Sequence, residues 1–342
     1  MPAATSALLT QCSFFRLQCH PSTLERRSSG QRTYSAWTAT EAIIRRQIAP
    51  RVRISEVHGD SLVGELFMPV GSGSHPAVVV LGGSEGGYPR DVPALLASRG
   101  IAALSIAYFG VGALPKDLVG VPIETVANAV MFLRGRAGVD KDGIGIVGIS
   151  RGGELALLSA SYFPSIRAAV SIVPSPVVEA GLRFGSGPVD GSPWTYNGKP
   201  LPFATFVQLQ RFLQTGDVSP IASAIIPLER INGPVAIVAA GDDQLGFSGA
   251  LFRRAFAQRP LRSGDLFLNY SSAGHLVDMP YTPTANLLTL RTPYGVLHFG
   301  GTSAGYAFAD ADSWPRILRF LKALLRPSRD MQGQRLRRAS TS

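Results

Sequence analysis

Unbroken apolar runs of strand length, each bounded by glycine, proline or a polar turn, constrain the fold of this chain more than any other feature. They lie at residues 77–81, 101–107, 144–147, 168–173, 235–239 and 266–270. Strands buried on both faces have this pattern, because helices cover both sides of a parallel sheet. Helical patterns separate the runs, so the alternation predicts an α/β protein with a mostly parallel, doubly wound sheet.

Segments of different pattern flank these runs at both ends. Residues 52–57 and 62–68 alternate apolar and polar side chains around a short Gly-Asp turn, which predicts an antiparallel N-terminal hairpin at the edge of the sheet. Residues 314–325 have a helical pattern, and the residues before them predict an N-cap at 312–313 with Pro315 in the first turn.

The net charge of +10 does not indicate a nucleic-acid-binding protein, because the basic residues are concentrated at the two ends. Residues 1–51 carry five of the net positive charges and residues 326–342 carry four, which leaves the body nearly neutral. We therefore expect one domain over residues 52–326. It lies between a disordered or targeting tail, residues 1–51, and a basic disordered tail, residues 327–342.

The positions of the cysteines and the lengths of the apolar runs indicate the cellular compartment that we expect. The only two cysteines, Cys12 and Cys19, lie in the first tail, so neither a disulfide framework nor a zinc pattern supports the domain. We expect a cytoplasmic protein that uses no metal or cofactor; a mitochondrial presequence ending near Ser35 is the alternative. No apolar run approaches the roughly 18–20 residues of a membrane-spanning helix, so no integral membrane segment is expected.

A G-x-S-x-G pentapeptide, residues 148–152, lies between the apolar run 144–147 and a helix-compatible stretch at 154–160. Strand, sharp turn and helix form the context in which this motif makes a nucleophile elbow. Its glycines let the strand and the helix approach closely enough to hold a strained serine and to expose the hydroxyl. The pattern predicts Ser150 as a nucleophile; a simple turn between two core elements is the alternative.

A serine hydroxyl needs a positioned base, and in α/β-hydrolases the acid and then the histidine follow the serine along the chain. His275 and His298 are the two histidines that follow Ser150. His275 comes after small residues just past the run 266–270, so we expect it to be the base. His298 has apolar neighbours, and we expect it to be structural or to line the pocket.

The acid that orients the histidine has two main candidates. Asp242 and Asp243 directly follow the run 235–239, where the carboxyl end of a strand would bring them to the catalytic edge. Both carboxylates could serve from this position. Asp278 is a weaker candidate, because it lies only three residues from His275 and local strain would hinder it from orienting that ring.

The remaining requirement of acyl transfer is a pair of N–H donors for the oxyanion. The N–H of Arg151, directly after the nucleophile, is expected to be one of them. The glycine-rich loop 82–87 should supply the other, and we expect it to be the N–H of Ser84. The loop is not a phosphate-binding P-loop, because it lacks the Lys-Ser/Thr ending of that motif.

An irregular segment, residues 175–230, interrupts the alternation of strands and helices. It contains many glycines and prolines together with Phe184, Trp194, Tyr196, Phe203, Phe206 and Phe212. An aromatic insertion of this kind predicts a lid over an apolar acyl pocket. An excursion that covers the edge of the sheet is the alternative.

The blocks around these residues resemble the catalytic domain of the acyl-CoA thioesterase / bile acid-CoA:amino acid N-acyltransferase family. They are Gly148-Ile-Ser-Arg-Gly-Gly-Glu-Leu-Ala-Leu157, Ala168-Ala-Val-Ser-Ile172, Gly241-Asp-Asp243, Ala273-Gly-His-Leu276, Pro280-Tyr281, His298-Phe-Gly-Gly-Thr302 and Asp312-Ser-Trp314, with Gly82-Gly83 and Ala107-Tyr108 upstream. The resemblance spans roughly residues 52–326 and implies an α/β-hydrolase fold with Asp243 as the acid. Thioesterases of this family have a serine nucleophile and the acyltransferases a cysteine, so Ser150 implies that water accepts the acyl group.

Motifs and resemblance together predict a serine hydrolase. It would cleave acyl thioesters, with acyl-CoA as the substrate, to the free acid and thiol through an acyl-serine intermediate. A carboxylesterase or dienelactone-type hydrolase acting on small esters is the alternative within the enzymes. A non-catalytic α/β-hydrolase scaffold that binds a partner is the alternative of another class. The sequence does not define the oligomeric state.

Overall fold

The computed structural model describes residues 48–59, 62–183, 187–245, 259–260, 262–277, 289–292 and 295–325. Residues 1–47 and 326–342, which include nearly all of the two expected tails, lie outside the described residues. Within the described part, the strands are β1 (Arg53–Gly59), β2 (Leu62–Met68), β3 (His75–Leu81), β4 (Ala102–Ala107), β5 (Val121–Pro122), β6 (Val139–Ile149), β7 (Ala169–Ile172), β8 (Leu182–Arg183), β9 (Gly187–Pro188), β10 (Trp194–Tyr196), β11 (Lys199–Pro200), β12 (Val235–Ala240), β13 (Leu266–Tyr270), β14 (Thr289–Thr292) and β15 (Gly295–His298). The α-helices are α1 (Asp91–Ala97), α2 (Glu124–Arg134), α3 (Arg151–Tyr162), α4 (Phe206–Thr215) and α5 (Ser303–Leu324).

The central sheet has the order β1-β2-β4-β3-β6-β7-β12-β13. The pairs from β4 to β13 are parallel, whereas β1 pairs with β2, and β2 with β4, in antiparallel fashion. The predicted α/β fold, with its parallel sheet and N-terminal edge hairpin, is confirmed. In a parallel sheet the loops after neighbouring strands meet at one edge, so the residues that follow β3, β6, β12 and β13 converge there.

Side chains of the parallel strands alternate between two apolar cores. Along β3, Val79 and Leu81 belong to the core that contains α2 and α3, whereas Val78 and Val80 belong to the core with α1 and α5. All four side chains have no exposed surface. Burial on both faces is why the inner strands consist largely of valine, leucine, isoleucine and alanine.

The C-terminal helix begins earlier than the sequence predicts. Thr302 caps α5, its side chain accepting a hydrogen bond from the N–H of Gly305, and Pro315 lies inside the helix rather than in the first turn. The expected N-cap at 312–313 is therefore wrong. Residues 303–313 include four alanines, which favour a helix, and Tyr306 and Ala309 pack this part of α5 against the core. None of the helices in the described part of the chain is long and apolar enough to cross a membrane.

Much of the segment 175–230 packs as a small unit with its own core. Val177, Leu209, Phe212 and Ile221 pack together there, around α4 and the short 3₁₀ helix Ser219–Ala224. Trp194 instead enters the main core on the side of α2 and α3, where it has no exposed surface.

Candidate active site

Ser150 stands at a sharp turn between β6 and α3, with φ of 53° and ψ of −120°. A positive φ is strained for any residue that carries a side chain, and it persists only where the surroundings enforce it. The glycines are part of that enforcement. A Cβ at Gly148 would overlap the carbonyl oxygen of Gly152, and one at Gly152 would overlap that of Gly82. At Gly148 and Gly152, β6, α3 and the glycine loop therefore pack too closely for any side chain.

Three side chains that the sequence predicts for the site lie within hydrogen-bonding distance of one another. The Oγ of Ser150 is 2.8 Å from Nε2 of His275, and Nδ1 of that ring is 2.8 Å from Oδ2 of Asp243. The Asp243 side chain is 1% exposed and that of His275 10%, so the chain of hydrogen bonds is shielded from water. A carboxylate can only accept, so the proton of this pair lies on Nδ1 and leaves Nε2 free to accept from the serine.

The other candidates for the acid and the base are not part of this arrangement. Asp242 turns away from the histidine, and its carboxylate accepts from the Gly301 N–H at 2.8 Å and from the Gln244 amide at 3.2 Å. His298 ends β15 on an exposed position and does not line the cavity beside Ser150, which differs from its expected role. Asp278 lies outside the described residues.

A cavity of about 620 Å³ opens beside Ser150 and His275. Apolar side chains form most of its described wall: Pro89, Val92, Ile149, Leu245, Leu276, Val277, Leu290, Leu297 and Phe299. They come from α1 and the residues just before it, from the end of β6, from the segments after β12 and β13, and from the β14–β15 hairpin and the residue that follows it. The described residues of 175–230 are not among them. Among the described residues, the β14–β15 hairpin contributes to the wall and this segment does not, and a lid role for the segment stays a prediction.

The glycine loop reaches the nucleophile at Gly83, where a Cβ would lie 3.4 Å from the Cβ of Ser150. The N–H of Gly83 donates to Oε1 of Glu85 at 2.9 Å, so a carboxylate lies at the mouth of the site. Within the described part of the chain, the N–H groups of Ser84 and Arg151 donate to no protein acceptor. These two donors remain available for the oxyanion role that the sequence predicts.

Glu154, one turn along α3 from the nucleophile, is a buried carboxylate that the sequence reasoning missed. It has no exposed surface, and its Oε2 accepts a hydrogen bond from the Arg151 guanidinium at 2.7 Å. Burial raises the pKa of Glu154 to about 8, although the guanidinium of Arg151 acts in the opposite direction. A glutamate at the start of an otherwise apolar helix was the available signal, since such a residue needs a buried partner.

The raised pKa of Glu154 makes stability depend on pH. The unfolded chain releases this proton near pH 4.5 and the folded chain near pH 8, so the stabilising contribution is complete below the first value and is lost as pH rises through the second. Within the window the slope is at most about 1.4 kcal/mol per pH unit, the value for a single proton. Urea unfolding should show wild-type stability falling from pH 4.5 to 8 relative to Glu154→Gln, which cannot ionise. A difference between the two proteins that does not change with pH would contradict this.

A serine at a strand-to-helix turn, linked through a histidine to a buried aspartate on a mostly parallel sheet, defines the α/β-hydrolase class. Solved structures share this fold. The α/β-hydrolase GrgF from Penicillium sp. sh18 superposes with a TM-score of 0.50 at 18% identity, covering 80% of this chain and 98% of that one. A puromycin-hydrolysing peptidase of Mycobacterium tuberculosis gives a TM-score of 0.53 at 15% identity, covering 87% and 43%.

Within that class, the chain belongs to the family described as BAAT / Acyl-CoA thioester hydrolase C terminal, which matches residues 121–327. The mouse bile acid-CoA:amino acid N-acyltransferase is 32% identical over 301 residues, covering 83% of this chain and 68% of the relative. Rat acyl-coenzyme A thioesterase 1 is 28% identical over 286 residues, covering 80% and 65%. The family predicted from the sequence is confirmed, and these relatives are acyl-transferring enzymes.

Proposed function

We propose that this chain is a serine-dependent acyl thioesterase that hydrolyses acyl-CoA to the free acid and coenzyme A. The observation that carries the proposal is the unbroken chain of hydrogen bonds from Ser150 through His275 to Asp243, at 2.8 Å for each step. The membership of a family that contains acyl-coenzyme A thioesterases and acyltransferases supports a thioester as the substrate.

The reaction proceeds in two acyl transfers. The Oγ of Ser150 attacks the thioester carbonyl while Nε2 of His275 takes its proton, and the N–H groups of Arg151 and Ser84 hold the oxyanion. The tetrahedral species collapses, the carbon–sulfur bond breaks, and His275 returns the proton to the thiolate. Water then attacks the acyl-serine with the same histidine as base, and serine and the free acid are released. Asp243 orients the ring and stabilises its charged form in both steps.

Two measurements test the proposal. Ser150 should react with a fluorophosphonate probe, and the purified chain should release free thiol from acyl-CoA with a kcat/KM above that for p-nitrophenyl acetate. A preference for the small ester would favour the carboxylesterase alternative.

Formation of an acyl-glycine product when glycine is added would instead indicate an amine acceptor, as the names of the acyltransferase relatives describe for those proteins. Absence of both labelling and turnover would favour a binding scaffold.

The negative charge of Glu85 should weaken the binding of a coenzyme A leaving group. Its exposed carboxylate lies at the mouth of the cavity, where it repels the phosphates of coenzyme A. Because an exposed charge contributes about 1 kcal/mol or less, Glu85→Gln should lower the KM for acyl-CoA by up to about fivefold at low ionic strength. An uncharged N-acetylcysteamine thioester of the same acyl group is the control, and its KM should not change. Equal changes for both thioesters would show that repulsion of the phosphates is not the cause.

A further inference from the structure

The first wall of the proposed oxyanion hole is the backbone of Gly82, Gly83 and Ser84, and a buried side chain holds two of its carbonyls. Tyr108 follows β4 and is 2% exposed, and its hydroxyl lies 2.7 Å from the carbonyl oxygen of Gly82 and 2.8 Å from that of Gly83. In a trans peptide the N–H points opposite to the carbonyl. By holding both carbonyls on its own side, Tyr108 turns the N–H groups of Gly83 and Ser84 toward the other.

The second wall is the start of α3, where Arg151 supplies its backbone N–H. The Arg151 side chain turns into the protein and is 7% exposed. It donates to the carboxylate of Glu154 at 2.7 Å, to that of Glu179 at 3.2 Å and to the carbonyl oxygens of Glu179 and Ala180 at 3.1 and 3.0 Å. The residue after the nucleophile is thus anchored to the segment 175–230.

Trp194, from the same segment, connects the two walls. Its indole N–H donates to Glu154 Oε1 at 2.6 Å, and its ring packs against Tyr108 with centroids 5.6 Å apart at 55°. The indole has no exposed surface, so both contacts lie in a region without competing water. A continuous path therefore runs from the carbonyls of the glycine loop through Tyr108, Trp194 and Glu154 to Arg151.

The walls also touch each other directly. A Cβ at Gly152 would overlap the carbonyl oxygen of Gly82 and would lie 2.7 Å from that of Leu81. Backbone packed this closely transmits a small shift of one wall to the other, because the interior has no free volume to absorb it. The direction of the Ser84 N–H thus depends on contacts that lie behind the loop, away from the substrate cavity.

We propose that Tyr108, Trp194 and Glu154 are positioning residues of the oxyanion hole, which hold the N–H groups of Ser84 and Arg151 at the separation that acyl transfer needs. This inference rests on the proposed function. It gives the segment 175–230 a role in catalysis that differs from a lid: Trp194 braces the site from inside the core. Burial raises the pKa of Tyr108 well above its usual range, so its hydroxyl remains a donor throughout the working pH range.

Removing the Tyr108 hydroxyl should weaken transition-state stabilisation and leave substrate binding unaffected. Loss of an entire oxyanion donor lowers kcat by about 10²–10³, and donors that are present but misdirected should lower it by about 10–100-fold. We expect this loss of kcat for Tyr108→Phe, with KM within about twofold of wild type. Trp194→Phe keeps a ring against Tyr108 and removes the N–H to Glu154, so we expect a loss of the same kind.

The experiment compares the wild-type chain, these two variants and Tyr196→Phe as a matched control. Tyr196 lies in the same strand, β10, and its ring packs against Tyr162 rather than against the glycine loop. For each protein, kcat and KM are measured together with the inhibition constant of an alkylthiomethyl trifluoromethyl ketone, a thioether that cannot be hydrolysed. The Ser150 Oγ adds to its carbonyl carbon and His275 takes the proton, so the carbonyl oxygen becomes an oxyanion that probes the oxyanion hole. Melting temperatures report any change in folding.

The proposal is supported if ketone affinity and kcat fall by matching factors in Tyr108→Phe and Trp194→Phe, while KM and the control do not change. It is overturned if ketone affinity and kcat of Tyr108→Phe remain within twofold of wild type, or if the control loses as much. Should Tyr108→Phe fail to fold, Trp194→Phe decides by the same criteria. Failure of the proposed function is seen separately, as a wild-type chain that neither reacts with a fluorophosphonate nor hydrolyses thioesters.

Discussion

Ser150→Ala is expected to lower kcat by about 10⁶-fold, the size of effect found when serine proteases lose their nucleophile. Without Oγ no acyl-enzyme can form, and what remains is the weaker catalysis by the oxyanion donors and the bound substrate. The change removes one partly buried hydroxyl and leaves the backbone unaltered, so the melting temperature should change little. Thiol release from acyl-CoA and labelling by a fluorophosphonate probe both measure the loss.

The strained turn makes the control for this variant important. Ser161 lies on the same helix and its hydroxyl donates to the Leu158 carbonyl, so Ser161→Ala should retain wild-type turnover and labelling. Labelling of Ser150→Ala at the wild-type level would mean that another residue is the nucleophile. Loss of activity in both variants would point instead to a disturbed helix.

Asp243→Asn is the second large effect that we expect, a fall in kcat of about 10⁴-fold. The buried carboxylate accepts from Nδ1 of His275 at 2.8 Å and also from the Leu245 N–H at 3.0 Å. An amide in its place presents an N–H toward the ring and favours the tautomer whose Nε2 carries the proton. That histidine cannot accept the proton of Ser150, although the packing is retained.

The neighbouring aspartate provides a matched control for that variant. Asp242→Asn should keep kcat within a fewfold of wild type, because Asp242 contacts Gly301 and Gln244 and not the histidine. The two aspartates are adjacent in sequence, but only the Asp243 side chain points toward His275. Comparing the two variants therefore isolates the effect of contact with the histidine. A larger loss from Asp242→Asn than from Asp243→Asn would reverse the assignment of the acid.

The sequence predicted the elements whose signal is local. The apolar run 235–239 lies within β12, where every residue is buried, because burial on both faces leaves a pattern that needs no knowledge of neighbours. Ser150 and His275 were recognisable because both follow such runs, and strand ends converge at one edge of a parallel sheet. Asp242 and Asp243 could not be separated by the residues alone, since two adjacent side chains leave the backbone in different directions.

Features that depend on distant contacts were beyond sequence reasoning. Trp194 was grouped with other aromatic residues as part of a lid, and nothing in its neighbourhood reveals that it enters the core beside Glu154, 40 residues away. Tyr108 lies 25 residues from the Gly83 carbonyl to which it donates. The start of α5 was missed for a different reason: Asp312, Ser313 and Pro315 resemble a helix start, although the four alanines of residues 303–313 favour a helix that begins earlier.

The order in which the three site residues occur along the chain has a consequence for folding. Ser150 and His275 are 125 residues apart, and Asp243 and His275 follow β12 and β13, the outermost parallel strands of the described sheet. Contacts between distant residues form slowly, because chain entropy is lost before they begin to stabilise. In a refolding experiment, catalytic turnover should therefore recover after the burial of the first strands. Activity thus reports the moment at which the last third of the polypeptide has docked.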